Sequence, residues 1–363
     1  MAKRDPIGVA ILGLGRSGYG IHARWLSQQP ARFRIVVVAD LLAERRARAQ
    51  REFGCQAVVD SRALLGREDI DLVVNALPSH LHPRVSAQVL RSGHHLVCEK
   101  PVAWKTADFD RVVAAARRAR RRFVAFHQRR FSPSFEKVRS VISSGVLGEI
   151  VSINLAFNSF SRRWDWQTLQ EFNGGNLLNT GPHVLDMALC LLDYQRPEKI
   201  FCAMRSANSA GDAEDHLKVL LRTRHQPVVD VEISSCAAYP TETFTINGSR
   251  GSLTGGADGL RWRYFDPERA PKLKLSRQPI PGPAYCREQL VFTKRSWRPR
   301  GRQADEFNYM CGQFYHQLYD ALRTRAAVPI ANRQVRVLVQ VLEECRRQNR
   351  LIKLPAQGWP IPA

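Results

Sequence analysis

Hydrophobic residues are spaced in two different ways along this chain. In the first 127 residues they form short apolar runs at 7–12, 34–39, 71–77, 96–98 and 123–126. Each has the length of a buried strand rather than of a helix. Between them lie stretches of helix formers. One follows the glycine-rich turn 13–20 and continues to residue 29; the others span 42–53, 82–91 (closed by Gly93) and 106–122. The last opens with Asp108 and Asp110 and ends in arginines, the polarity that suits a helix dipole. Strand–helix alternation at this spacing predicts a parallel, doubly wound sheet.

After residue 128 the pattern changes. A helix over 133–143 leads into long strand-like runs at 150–158, 199–206, 216–224, 228–237 and 241–246, interrupted by one helix near 179–192. Consecutive strands without helices between them predict a second unit with a largely antiparallel sheet. Residues 261–302 hold six prolines, twelve basic residues and three acidic ones, and read as a surface excursion with little regular structure. Two helices follow, near 305–325 and 332–349. The organisation expected is a dinucleotide-binding unit over 1–127 and an α/β unit for substrate binding and oligomerisation over 128–363.

Composition narrows the function. The chain is 44% hydrophobic and 24% charged, which suits a packed core and excludes wholesale disorder. No apolar stretch approaches the roughly 20 residues that cross a bilayer, so no membrane partner is expected. Lys3 and Arg4 precede an apolar run as in a signal peptide, but that run ends in a glycine loop instead of a cleavage site. Eight scattered cysteines show no C-x-x-C pair and no metal-ligand spacing, which predicts reduced thiols, a cytoplasmic location and no metal. The net charge of +22 invites a polyanion partner, yet 45 of the 55 basic residues are arginine, an overall compositional skew. No helix-turn-helix, zinc or RNP signature supports nucleic-acid binding.

Gly13-Leu14-Gly15-Arg16-Ser17-Gly18 fits G-x-G-x-x-G between a strand and a helix, with Asp40 at the end of the next strand. Gly13 permits the tight turn, Gly15 lets backbone approach a pyrophosphate, and Gly18 packs the helix on the sheet. The helix N-terminus offers N–H groups to phosphate. A carboxylate at Asp40 accepts from a ribose 2′-hydroxyl and repels a 2′-phosphate, so NAD is expected and NADP is disfavoured. Arg45 and Arg46 are read as a solvated helix face.

Two further segments carry chemistry. Glu99-Lys100-Pro101 follows a strand at the carboxyl edge of the sheet, where doubly wound folds bind ligands. An ammonium there can hold a substrate hydroxyl or a developing alkoxide. Downstream, Gly174 and Gly175 open a segment in which Asn179 and His183 stand four apart, on one face of a helix. Trp164 and Trp166, in Arg162-Arg163-Trp164-Asp165-Trp166, offer aromatic faces to a sugar ring.

These segments, with Asn75-Ala76-Leu77-Pro78-Ser79-His80-Leu81-His82 and Arg129-Arg130-Phe131, resemble the Gfo/Idh/MocA family of NAD(P)-dependent sugar and polyol dehydrogenases over nearly the whole chain. The resemblance implies a Rossmann domain followed by an α/β domain on a large, open, mainly antiparallel sheet that supports homodimers or homotetramers. It implies that His183 is the acid/base and that Lys100 polarises the same substrate oxygen. Pro78, Ser79, His82 and Glu99 would belong to the cofactor side, and Asn179 and Arg129 to the substrate side. The family usually has Asp where this chain has Asn179; an amide can bond a hydroxyl but supplies no charge.

The expected activity is hydride transfer between NAD and a secondary hydroxyl of a sugar, sugar derivative or cyclitol, as in an inositol dehydrogenase. Two alternatives differ in kind: a sugar oxidoreductase that recycles a tightly held NAD(P), and a non-catalytic NAD-responsive regulator. The basic stretches 111–130 and 261–302 do not coincide with the glycine loop, the Lys100 turn or the His183 helix, and are read as a partner surface, an oligomer contact or an arginine-rich exterior.

Overall fold

The computed structural model describes residues 6–279, 282, 288–324 and 326–349. Expectations for Lys3 and Arg4, for Cys286 and for the middle of the 261–302 stretch fall outside these residues.

The first unit runs β1 (Ile7–Leu12), a π-helical turn (Gly18–Ala23) into α1 (Arg24–Ser27), β2 (Phe33–Ala39), α2 (Ala43–Phe53), β3 (Gln56–Val58), β4 (Leu72–Asn75), α3 (His82–Arg91), β5 (His95–Cys98), α4 (Thr106–Ala119) and β6 (Phe123–Ala125). All six strands are parallel, in the order β3-β2-β1-β4-β5-β6. Every residue of β1 is buried, because helices cover both faces of a parallel sheet. Strand order reverses between β1 and β4, which opens a crevice at the carboxyl ends of the strands. The glycine loop and the segments after β4, β5 and β6 all leave from that edge.

The second unit runs α5 (Pro133–Ser143), β7 (Ile150–Asn158), α6 (Asn176–Asn179), α7 (Gly181–Leu191), β8 (Lys199–Arg205), β9 (His216–Arg222), β10 (Val228–Ser234), β11 (Phe244–Gly248), β12 (Gly251–Gly256), β13 (Gly259–Phe265), β14 (Phe292–Trp297), α8 (Glu306–Arg323) and α9 (Asn332–Gln348). Its sheet has the order β14-β13-β12-β11-β7-β10-β9-β8 and is antiparallel except between β7 and β10. Ile153, Leu155, Val219 and Val231 point to one face and share a core with Val138, Leu185, Leu189 and Leu342 from α5, α7 and α9. Alternate positions, among them Asn154, Lys218, Glu232 and Arg263, turn to the other face.

Part of the irregular reading of 261–302 is corrected here. β13 and β14 pair from Leu260↔Trp297 to Phe265↔Phe292. The two-residue alternation of Leu260, Arg261, Trp262 and Arg263 places Leu260 in the core and leaves both arginines exposed or partly so. Proline and charge counts hid that alternation. The helix expected near 179–192 starts earlier and breaks at Thr180, with Pro182 opening α7.

Helices α8 and α9 return to the first unit. Phe314, Tyr315, Leu318, Val335 and Val339 belong to the core that surrounds β1. Tyr315 stacks on Trp25 with ring centroids 5.0 Å apart. Among the described residues no helix is long and apolar enough to cross a membrane.

Candidate active site

The glycine loop is built by contacts within the chain. Gly13 has φ +82°, and a Cβ on it would sit 2.7 Å from the carbonyl oxygen of Ala76. A Cβ on Gly18 would overlap the Gly13 carbonyl. Gly15 differs: the nearest atom to its Cβ would be Arg45 Nη1, 3.9 Å away. The loop therefore needs Gly13 and Gly18 for its own packing, and keeps open space over Gly15. That space fits a pyrophosphate against the backbone, so these residues suit the cofactor expected of them.

Asp40 ends β2 beside the loop. Its carboxylate accepts from the N–H of Leu14 at 2.7 Å and from that of Leu42 at 2.9 Å. The two neighbouring arginines are not a solvated face. Arg45 reaches the Asp40 carboxylate at 3.4 Å, and Arg46 donates to the carbonyls of Asp40 at 2.8 Å and Leu41 at 2.9 Å.

Glu99 and His82, both expected on the cofactor side, are buried and bonded within the chain. The Glu99 carboxylate accepts from the Lys100 N–H at 3.0 Å and lies 3.2 Å from His22 Nε2, whose Nδ1 is 2.6 Å from the Tyr315 hydroxyl. Burial opposes its charge, but His22 and Lys100 prevail and hold its pKa down at about 2. The His82 ring nitrogens each lie 2.7 Å from a main-chain carbonyl, of Pro101 and of Leu77. That ring joins the turn after β4 to the turn after β5. Pro78 and Ser79 lie on the first of these turns and are partly exposed.

The structure brings Lys100 and Asn179 together across the two units. Lys100 Nζ donates to the carbonyl oxygen of Asn179 at 2.8 Å and to its amide oxygen at 3.3 Å. Upstream, the buried Glu214 carboxylate accepts from the Leu177 N–H at 2.7 Å and fills the space a Cβ on Gly175 would take. That contact explains why glycines open the segment. Asn179, Thr180 and Arg163 then line a cavity of about 510 Å³ whose other wall is formed by residues of β7 and β10, Phe157 and Ser234 among them.

Burial and charge set the protonation states. Burial pushes the Lys100 ammonium down to about 8; Glu99 opposes this, and Arg16, Arg129 and Arg163 reinforce it. Burial, with Lys100, Arg129, His127 and Arg16, holds His183 well below the ordinary histidine value. His183 Nδ1 is buried with no hydrogen-bond partner among the described residues. A neutral imidazole within electrostatic reach of an ammonium is an arrangement able to take a proton and hold an oxygen.

Other expected residues are placed differently. Trp164 is 82% exposed and is absent from the cavity wall, so it does not face a substrate there. Trp166 packs edge-on against Phe172, which lies 5.1 Å from the ring of His80. The basic stretch 111–130 is not only an arginine-rich exterior. Its Arg130 forms a buried bidentate pair with Asp186 of α7, at 2.6 and 2.7 Å, and its Arg129 lies 5.4 Å from the ring of the cavity residue Phe157.

Two family models cover most of the chain. Residues 7–127 match the oxidoreductase family with an NAD-binding Rossmann fold, and 135–254 match the GFO/IDH/MocA C-terminal domain. The chain belongs to the Gfo/Idh/MocA family of oxidoreductases. It is 27% identical over 256 residues to a 2,7-anhydro-N-acetylneuraminate hydratase of Mediterraneibacter gnavus, covering 68% of this chain and 66% of that one. It is 28% identical over 242 residues to an inositol 2-dehydrogenase of Acidothermus cellulolyticus, covering 66% and 69%. Among solved structures, an NAD-binding protein from Listeria innocua aligns with a TM-score of 0.79 at 19% identity, over 95% of this chain and 97% of that one. GenD2 from gentamicin A biosynthesis, in complex with NAD, aligns with a TM-score of 0.73 at 20% identity over 98% of each chain.

As a Gfo/Idh/MocA oxidoreductase the protein takes NAD, and the glycine loop and Asp40 both lie within the matched NAD-binding segment. Sequence reasoning missed His127, which follows β6 at the same sheet edge; its Nδ1 is buried without a partner, and burial pushes its pKa down to about 4. Its position just past a strand end was the available signal. Arg163, Thr180 and Asn176 lie in segments that the sequence singles out, but the sheet that makes them cavity residues comes from distant sequence.

Proposed function

We propose that this protein transfers hydride between NAD and a secondary hydroxyl of a sugar, sugar derivative or cyclitol. The observation that carries the reading is the Lys100 ammonium held on Asn179, a wall residue of a polar cavity, with the neutral His183, whose Nδ1 has no partner among the described residues, within its electrostatic reach. Bound NAD supplies the two-electron chemistry.

The residues divide the remaining work. The Lys100 ammonium donates to the substrate oxygen and stabilises the negative charge that grows there as its proton leaves. His183 accepts that proton, and returns it in the reductive direction. Asn179 presents its amide to the neighbouring hydroxyl and to Lys100, and fixes the ammonium before substrate arrives. Glu99, held by His22, orients the Lys100 backbone from behind. The inositol 2-dehydrogenase relative supports a polyol substrate.

A panel of sugars and cyclitols, followed by NADH absorbance with NAD and NADP in parallel, tests the reading. Turnover with NAD on at least one member is expected. NADH binding without turnover on any polyol would favour a regulator instead.

A further inference from the structure

The cavity beside Lys100 is unusual in its charge. Asn158, Ser161, Asn176, Thr180, Ser234 and Thr241 give it a hydroxyl and amide lining; among the described residues no carboxylate lines it and its one charged lining residue is Arg163. Asn179 stands where an aspartate would have supplied a negative charge.

Arg129 adds to this. Its guanidinium is half-buried and lies 5.4 Å from the ring of Phe157, a cavity residue. Among the described residues it makes no hydrogen bond and no ion pair. The adjacent Arg130 shows what a satisfied guanidinium looks like in this protein: it is bidentate on Asp186, donates to Gln334 at 2.5 Å, and lies 4.7 Å from the ring of Tyr194.

The nearby acids are engaged elsewhere. Glu99 is taken by His22 and the Lys100 N–H, Asp165 pairs with Arg163 at 2.6 Å, and Glu306 accepts from the Ser132 hydroxyl at 2.7 Å. Glu306 acts on Arg129 only through space. Arg16 is a glycine-loop residue, for which the cofactor's pyrophosphate is a natural counter-ion; Arg129 is left without one. A half-buried cation with neither ion pair nor hydrogen bond is costly, and a ligand anion removes that cost. A neutral sugar presents hydroxyls that both donate and accept. A half-buried guanidinium beside a lining that holds no carboxylate matches an acceptor-only group better.

We propose that the substrate carries an anionic group, a carboxylate or a phosphate, and that Arg129 receives it beside the hydroxyl that Lys100 and His183 address. The proposal rests on the dehydrogenase reading for its last clause and on the cavity alone for its first.

The test uses matched pairs: glucose with glucuronate, glucose with glucose 6-phosphate, galactose with galacturonate, and myo-inositol with inositol 1-phosphate. Binding to the full protein saturated with NADH is measured by calorimetry, and NAD reduction is followed separately. At least one charged member binds about ten- to a hundredfold more tightly than its neutral partner, the range of charge-assisted hydrogen bonds. The preference shrinks with added salt, falls in Arg129→Lys and vanishes in Arg129→Met. Which pairs respond separates carboxylate from phosphate. Equal or weaker binding of every charged member, or a preference that survives intact in Arg129→Met, overturns the proposal. Charge-selective binding with no NADH from any sugar would sink the dehydrogenase reading and leave the anion site standing; turnover confined to neutral sugars would do the reverse.

Discussion

Lys100 and Asn179 meet across the two units, with the ammonium donating to both the main-chain and the side-chain oxygen of the asparagine. The two acceptors hold Nζ before a substrate is present. Replacing Lys100 by Met or His183 by Ala should therefore lower turnover by about 10²–10⁴, the scale of a lost proton-transfer or oxygen-holding group. NADH affinity, read by fluorescence, should survive in His183→Ala. Near wild-type turnover in either variant would refute the role assignment.

The pH profile should be asymmetric. Lys100 is charged below its depressed value of about 8, so kcat/KM for oxidation should fall as pH rises through that region. His183 is held well below the ordinary histidine value, so it stays ready to accept a proton through neutrality, and the acid limb should lie well below pH 6.5. In Asn179→Asp a new carboxylate favours the charged ammonium, so the alkaline limb should move upward. A limb that stays in place would show that another group sets it.

The glycines separate folding from cofactor binding. Gly18→Ala puts a methyl into the Gly13 carbonyl and should lower the thermal midpoint of the free protein. Gly15→Ala enters open space, so it should leave the midpoint nearly unchanged and weaken NADH binding. Equal midpoints for the two variants would contradict this division.

Cofactor choice rests on one carboxylate beside two arginines. Asp40→Ser removes the charge that repels a 2′-phosphate and releases Arg45 from its 3.4 Å contact. The ratio of kcat/KM for NADP to that for NAD should rise about tenfold or more, the worth of one close charge contact. An unchanged ratio would mean that Asp40 serves only to hold the Leu14 and Leu42 N–H groups.

Arg130 and Asp186 form a buried pair, with side chains 8% and 2% exposed. Asp186→Asn, or Arg130→Met, leaves the other charge stranded and should cost about 3–5 kcal/mol in urea unfolding. The double variant Arg130→Met/Asp186→Leu should cost less than the sum of the single ones. Additive losses would show that the two do not act as a pair.

The sheet and glycine loop of the first unit were legible because a parallel sheet buried on both faces leaves continuous apolar runs, with Gly13, Gly15 and Gly18 fixed by local geometry. Lys100, Asn179 and His183 were legible as motifs. Only the family resemblance implied that they meet, because Lys100 and Asn179 are 79 residues apart and join through tertiary packing. The inward commitment of Glu99 and His82 was hidden for the same reason: His22, Tyr315 and the Pro101 and Leu77 carbonyls that hold them lie elsewhere in the chain or in a turn whose shape the sequence does not display. Arg129 and Arg130 sat in an arginine-rich run that concealed two opposite fates, one neutralised and one not.

Tyr315, Phe314, Leu318, Val335 and Val339 complete the core around β1. A ribosome that has just released the nucleotide-binding segment has therefore not yet made part of that segment's interior. The order of synthesis and the order of burial run differently in this protein: a part of the chain that emerges earlier is sealed by helices that emerge later.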